Sequence, residues 1–476
     1  MPAGTDDPGY IEHGWMLVVD GRIAALAAGD PPPAALASLV EPHPLVEPHP
    51  LVEPVETPRH PVSTSSTRVE TLDVHGAFVA PGFVSAHSHL FTSGSRGLGV
   101  AETLYGWCDS MLGLIRHATP QDIYWTTLHG SLDFLGAGVT AAYDFTDPRI
   151  PWEEMVDGQR QVVGELRPPE YQTRQIDAKV DAGLRFVNST PMDDAVGSDD
   201  EVLDRLGVIL AHSATVDPAL SLGGAVTGSV QWSNRANAAE LEVEAMTRFG
   251  LINQAHFLET REAADLQRSK FALYRDAGAL GPGMIFGHFI QTTPEIIRET
   301  AESGAGMSWQ PGSNGRLASG VAEIPEMLAL GMTVGMGLDD QACTDVADPW
   351  QNMRMGMFML RAKTGDPLSM MPETVLRLHT LGSAKLLGVD DRIGSLEVGK
   401  YADFVVVDPS APDIGPLWHP VRSYVLACGL RNLKRVYVGG ELVSQDGVST
   451  NRLAGEASAK VREALEPLAA KYGHPH

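Results

Sequence analysis

Cysteine is scarce in this chain. Three occur in 476 residues, Cys108, Cys343 and Cys428, far apart and without a Cys-x-x-Cys pair. That excludes a disulfide framework and a thiolate zinc finger, and it predicts a protein of the reducing cytoplasm. Positive charge is scarce as well: 35 Lys and Arg stand against 60 Asp and Glu, a net charge of −25 at pH 7. Such a field repels phosphate backbones and anionic lipid, so nucleic acid and membrane surfaces are excluded as partners and a small neutral organic substrate is expected. No apolar run reaches the roughly 18–20 residues that cross a bilayer. The stretch Met1–Tyr10 lacks the basic and apolar regions of a signal peptide.

Glycine and proline, by contrast, are plentiful at 49 and 33 residues, with 43 % hydrophobic content. This is the balance of a globular, loop-rich α/β protein with room for one large domain and a smaller one. Trp15–Ala28 reads as a hairpin around an Asp20-Gly21 turn. Glu41-Pro-His-Pro-Leu-Val46 then repeats at once as Glu47-Pro-His-Pro-Leu-Val52, and a Ser/Thr cluster follows at Ser63–Thr67. That segment, about 41–67, reads as an exposed proline-rich insertion whose His43, His49 and His60 are linker residues. Val69–Phe78 reads as a strand, and Gly394–Asp408 and Leu433–Val443 supply more, the latter around Gly439-Gly440. Strands at both ends of a long middle predict a small β-sandwich domain built from both termini. The expected division is 1–80 for its first part, 81–391 for the inserted domain, 392–447 for the return, and 448–476 for a helix and tail. That helix is expected from about Ala457 to Glu466, stopped by Pro467.

The middle alternates strand-like and helix-like segments, the pattern of a parallel barrel. Eight strands are expected, at Phe83–Ala86, Val139–Asp144, Leu184–Asn188, Leu220–Val226, Leu251–Ala255, Met284–Gly287, Gly306–Trp309 and Thr333–Gly337. Helical patterns such as Ala238–Phe249 and Pro294–Ala301 lie between them. The fold class is therefore α/β, a (β/α)₈ TIM-like barrel, whose chemistry sits at the carboxyl ends of strands. At those ends stand His87-Ser88-His89 after the first strand, His256 and Glu259 after the fifth, His288 after the sixth, and Asp339-Asp340 after the eighth. A His-x-His on a strand turns both imidazoles to one side, a starting pair for a transition metal.

These residues, with Pro81-Gly-Phe-Val-Ser-Ala before His87, Ser313-Asn314 after the seventh strand, Gly337-Leu before Asp339, and Gly394-Ser-Leu-Glu-Val-Gly-Lys-Tyr-Ala-Asp403, resemble the amidohydrolase superfamily. The resemblance runs from about Trp15 to Val443, in the mononuclear branch of cytosine and guanine deaminases and chlorotriazine hydrolases. Around Trp309-Gln-Pro-Gly-Ser-Asn314 and Leu338-Asp-Asp-Gln341 it is closest to phenylurea hydrolases and molinate hydrolase. It implies a cytoplasmic homo-oligomer acting in xenobiotic degradation. The deaminases carry a His-Ala-Pro-like segment after the fourth strand, where this chain has Ala225-Val-Thr-Gly-Ser229.

The resemblance implies His87, His89, His256 and Asp339 as ligands of one divalent ion. Leu220–Val230 holds no lysine to carry the bridge of a binuclear site. Zinc suits these donors, and Co²⁺, Fe²⁺ and Mn²⁺ fit them too. The ion would bring a bound water's pKa toward ~7–9, so that hydroxide attacks the carbonyl of an amide, urea or (thio)carbamate and an amine leaves. Asp339, favoured over Asp340 by the Gly-x-Asp spacing, would be general base. His288 would polarise the substrate oxygen, direct ligation being its other role, and Glu259 would protonate the departing nitrogen. The alternative reading is a heterocycle deaminase of cytosine, guanine or triazine type, releasing ammonia by the same machinery. Trp107, Asp144, Asn188, Thr227, Trp309, Asn314 and Cys343, at or beyond strand ends, are the substrate-binding candidates. His129 and His212 are read as structural, and Cys343 has no partner to make it a nucleophile. A scaffold that had lost its chemistry would lack ligands, and none is lacking here.

Overall fold

The computed structural model describes residues 9–31, 70–146, 155–157, 159–160, 166–192 and 194–472. The repeated proline-rich segment, with His43, His49 and His60, lies outside them. The expected hairpin forms as β1 (Gly14–Val19) and β2 (Arg22–Ala28), antiparallel around Asp20-Gly21. The strand expected at Val69–Phe78 does not form over residues 70–77. Val74–Ala77 make a turn, closed by Ala77 N–H donating to Val74 O at 3.0 Å, with His75 and Gly76 both at positive φ. Extended pairing starts only after that turn, at β3 (Phe78–Pro81).

All eight expected barrel strands are present. In chain order they are β4 (Phe83–Ser88) and β5 (Val139–Phe145), then, after a short hairpin of β6 (Met155–Val156) and β7 (Gln159–Arg160), β8 (Arg185–Pro191), β9 (Ser221–Gly228), β10 (Ile252–Phe257), β11 (Met284–His288), β12 (Gly306–Trp309) and β13 (Val334–Met336). They pair in parallel, each with its neighbour in that succession. Short buried runs bounded by turn residues form strands because both faces are covered, one by the barrel interior and one by helices. The helices between them show their signals in sequence. Thr119 and Ser198 start helices Pro120–Gly136 and Asp199–Ser213 with capping boxes, while Gly183, Gly250 and Gly304 end three others in the left-handed conformation.

The seam between the last and first strands closes at one place. Asp339 N–H donates to His87 O at 3.1 Å, and Leu338 N–H to Ser85 Oγ at 3.0 Å. A Cβ on Gly337 would lie 2.7 Å from His87 Cβ, so glycine is what allows the two strand ends to meet.

From the other end of the chain, β14 (Phe404–Val407), β15 (Leu433–Val438), β16 (Glu441–Gln445) and β17 (Val448–Ser449) join β3 in a five-stranded antiparallel sheet. The β1–β2 hairpin packs on it through Ile23, Phe404 and Val406. Arg185, at the start of β8, ties the sheet to the barrel: its Nε and Nη2 donate to Asp403 at 2.7 and 2.9 Å, in a buried pair. The terminal helix runs from Ala454 to Tyr472 and so passes through Pro467 instead of ending there. A proline forfeits one helical hydrogen bond, yet Ala457, Val461, Leu465 and Ala469 are buried on one face, and that packing carries the helix on. Among the described residues no helix is long and apolar enough to cross a membrane.

Candidate metal centre and active site

The carboxyl ends of β4, β10, β11 and β13 bring His87, His89, His256, His288 and Asp339 together. His89 Nε2 and His256 Nε2 are 3.0 Å apart, and Asp339 Oδ1 lies 3.5 Å from His87 Nε2 and 3.6 Å from His89 Nε2. His288 Nε2 sits between two carboxylates, 3.4 Å from Glu259 Oε1 and 3.8 Å from Asp339 Oδ2. Backbone strain accompanies this convergence: His288 and Asp339 have φ of 64° and 63°, a conformation that costs a non-glycine residue free energy and persists where surroundings enforce it.

The donor set suits one divalent cation. Burial holds His87, His89 and His256 below the usual imidazole range, and neighbouring imidazoles add to this for His87 and His256. All three are thus neutral, the form that ligates. Gln254 fixes the tautomer of His87. Its Nε2 donates to Ala86 O at 2.9 Å, which turns Oε1 toward His87 Nδ1 at 2.5 Å. Nδ1 therefore carries the hydrogen, and Nε2 points its lone pair inward. That nitrogen is buried without a hydrogen-bond partner, as a metal ligand is before its ion is counted. Among the described residues, every group of three close metal-donor side chains falls in this one site.

Gln254 is not among the expected site residues, although its spacing of two from His256 on β10 puts both on the same strand face. Gln310 is likewise absent from them; its Oε1 accepts from His288 N–H at 2.9 Å. Asp340 accepts from Cys343 N–H at 2.5 Å and lines the cavity, its carboxylate grouping with His89 and Asp339 as a further set of possible donors.

A cavity of about 500 Å³ opens over the donors. Leu104, Trp107, Met111, Met192 and Trp232 form apolar walls, Glu259 and Asp340 stand at its metal end, and Asp194, Ser229 and Ser233 line it on the side of the β8 and β9 loops. Burial pushes the Glu259 carboxyl up to about 7, with His288 drawing it down and Asp339 adding to the rise.

Of the seven substrate-binding candidates, Trp107 and Thr227 line this cavity; the other five do not. Asp144 accepts from Lys179 Nζ at 2.6 Å and from Leu90 N–H at 2.9 Å, which anchors the chain just after His89. Asn188 accepts from the same Lys179 Nζ at 2.7 Å. Trp309 is on the outward side of β12, where its ring packs so closely that a Cβ on Gly356 would lie 2.6 Å from it. Asn314 is spent on His288 Nδ1 at 2.9 Å, and the Cys343 thiol is buried and donates to Ser313 Oγ. His129 and His212 bond to Ser93 and Asp177, away from the metal donors.

The loop after β9 is braced from below by Glu242, whose Oε1 accepts from Ser229 N–H at 2.6 Å and whose Oε2 accepts from Asn253 Nδ2 at 2.7 Å. Burial pushes Glu242 up to about 7. A folded-state pKa above the unfolded value near 4.5 means that the folded protein holds this proton more tightly. Stability therefore falls as pH rises from about 4.5 to about 7 and levels off above. Glu242→Gln removes that ionisation, and Asn253, whose Oδ1 is buried without a partner, can turn its amide to accept from the new one. The variant is expected to gain on the wild type by roughly 3 kcal/mol between about pH 4.5 and 8, because each tenfold difference in proton affinity is worth about 1.4 kcal/mol. Denaturant melts at both pH values check this, and a constant difference between the two proteins would refute it.

The model for the amidohydrolase family matches residues 78–443. The 5-methylthioadenosine/S-adenosylhomocysteine deaminase of Syntrophobacter fumaroxidans is 29 % identical over 406 residues, covering 82 % of this chain and 86 % of that protein. The 8-oxoguanine deaminase of Pseudomonas aeruginosa is 29 % identical over 405 residues, covering 82 % and 88 %. Among solved structures, the zinc-bound adenosine deaminase of Xanthomonas campestris superposes with a TM-score of 0.72 at 21 % identity, over 95 % of this chain and 93 % of that one, a likeness of fold.

Proposed function

The chain belongs to the amidohydrolase family, and on that premise we propose that it is an aminohydrolase. It exchanges the exocyclic amine of a nitrogen heterocycle for oxygen, consuming water and releasing ammonia. The triangle of Glu259, His288 and Asp339 carries the reaction class, because it places a proton acceptor and a buried proton donor on either side of one imidazole. His87, His89, His256 and Asp339 would hold the ion, and zinc, present in the Xanthomonas enzyme, is the proposed metal. When bound, such an ion acidifies a water so that hydroxide is available near neutral pH. Asp339 takes the proton given up by that water. His288, whose Nε2 faces both carboxylates, is placed to polarise the oxygen being added to the substrate carbon. Glu259, which burial raises to about 7, donates to the adjacent ring nitrogen and makes the carbon electrophilic. The proton held by Asp339 then passes to the amine, which leaves as ammonia, and the added hydroxyl returns its proton to Glu259 as it becomes the carbonyl.

A heterocycle is favoured over the open-chain urea or (thio)carbamate expected from Trp309–Asn314 and Leu338–Gln341. Relatives matched along four-fifths of their length are deaminases, and Trp309 packs outside the cavity. Thr227, at the end of the fourth barrel strand, is bonded to Ser189 Oγ at 2.6 Å and lines the cavity. The test is product analysis with zinc-loaded protein on aminated purines, pyrimidines and triazines, an N-aryl urea and a thiocarbamate. Ammonia from one of the heterocycles is expected; an aniline or secondary amine from the open-chain compounds alone would restore the carbamoyl reading.

A further inference from the structure

The loops after β8 and β9 supply no metal donor, yet they build a second polar end of the cavity. Asp194 lines it and is 7 % exposed. Its Oδ2 accepts from Ser233 Oγ at 2.7 Å and from Ser229 Oγ at 3.1 Å. Among the described residues no donor reaches its Oδ1. The nearby cation is already committed: Arg235 Nη1 donates to Asp194 O at 2.6 Å and Gly197 O at 3.2 Å, and Nη2 pairs with Asp199. Lys270 Nζ, 2.8–3.1 Å from the carbonyls of Val230, Gln231 and Ser233, clamps the loop from behind. The carboxylate thus spends Oδ2 on two hydroxyls and leaves Oδ1 to the cavity, where a ligand's hydroxyl can donate to it. The brace of Arg235, Lys270 and Glu242 holds the group in place for that ligand.

We propose that Asp194, with Ser229 and Ser233, is a specificity subsite for a hydroxyl-bearing substituent on the heterocycle, so that the preferred substrate is a glycosylated or otherwise hydroxylated ring and not the free base. The proposal rests on the heterocycle reading above. Neutral hydroxyls fit better than a cationic group because the two serine hydroxyls can each turn to accept from or donate to a neighbouring hydroxyl. The cavity volume, within the range that encloses a drug-sized ligand, leaves room beside a bare ring for that substituent, with Trp107, Met111, Met192 and Trp232 along its length.

The experiment uses the zinc-loaded full chain and its Asp194→Asn variant, which keeps shape and serine contacts. Binding of purine and of purine riboside, neither of which carries an amine to lose, is measured by calorimetry, and kcat/KM is measured for adenine against adenosine and cytosine against cytidine. The wild type is expected to bind the riboside at least tenfold more tightly than the base. The variant is expected to lose about 10–100-fold on the riboside and on nucleoside kcat/KM, while free-base values stay within about threefold. Equal affinities in the wild type, an equal loss on base and riboside, or preference for an aminoalkyl-substituted purine would overturn the subsite. Absence of ammonia from every heterocycle would defeat the deaminase reading instead, and the calorimetry would still decide on Asp194.

Discussion

Glu259→Gln is expected to lower kcat by about 10²–10⁴-fold, the range that a positioned general acid contributes, with metal content and fold intact. The substitution is nearly isosteric, and its amide can still meet His288 Nε2 across the 3.4 Å gap. What it removes is the transferable proton. Glu259 Oε2 is buried with no hydrogen-bond partner, so it is free to serve a substrate atom. Leu258, just before it, is held at φ 54° with its N–H donating to Gln231 Oε1 at 3.0 Å. This kink turns the chain so that Glu259 stands over His288 and does not continue along β10. KM should change little, because a proton delivered in the transition state is not a ground-state contact. Steady-state kinetics on any substrate that the wild type turns over, with zinc measured in the same samples, check the prediction. A kcat within threefold of the wild type would remove Glu259 from the reaction.

His87→Ala is expected to abolish stoichiometric metal binding and, with it, turnover. Three arrangements meet at this one ring: Gln254 holds Nδ1, Asp339 faces Nε2, and Gly287 leaves the space it fills, since a Cβ there would come within 2.9 Å of His87 Cε1. Removing the ring deletes a ligand outright, so affinity should fall beyond the roughly 10–100-fold that loss of an outer-shell partner costs. Gln254→Leu provides the comparison: it leaves the ligand and removes its orientation, and it should fall inside that roughly 10–100-fold range. Chelator competition gives both affinities, and the cobalt-substituted spectrum reports the coordination directly. If His87→Ala retained one tightly bound ion, the donor set would have to be redrawn around His288.

The barrel is legible in the sequence because its strands are short, largely apolar runs that alternate with helical patterns, an order that survives without knowledge of packing. The convergence of the candidate donors is legible as well, since a strand's end tells where its side chains will meet. Side-chain facing is not. Ser308 and Gln310 share one side of β12, joined by a hydrogen bond of 2.6 Å, which turns Trp309 outward against the helix Pro349–Thr364. Nothing near Trp309 in the chain announces that parity. Lys179 is invisible for another reason: it lies in a helix, with no motif, and only tertiary packing brings it between Asp144 and Asn188. The Asp194 subsite belongs to loops, where periodicity has nothing to say.

The barrel seam has a consequence for the life of the chain. His87 and Asp339 stand at opposite ends of the barrel's sequence, and their meeting is also the closure of the barrel. During synthesis, therefore, 252 residues must follow His87 before the fourth of the proposed donors exists. The proposed centre thus cannot be complete until the last barrel strand has been made, and a chain truncated before Asp339 lacks one of its donors. Catalysis by this protein certifies that its barrel was finished.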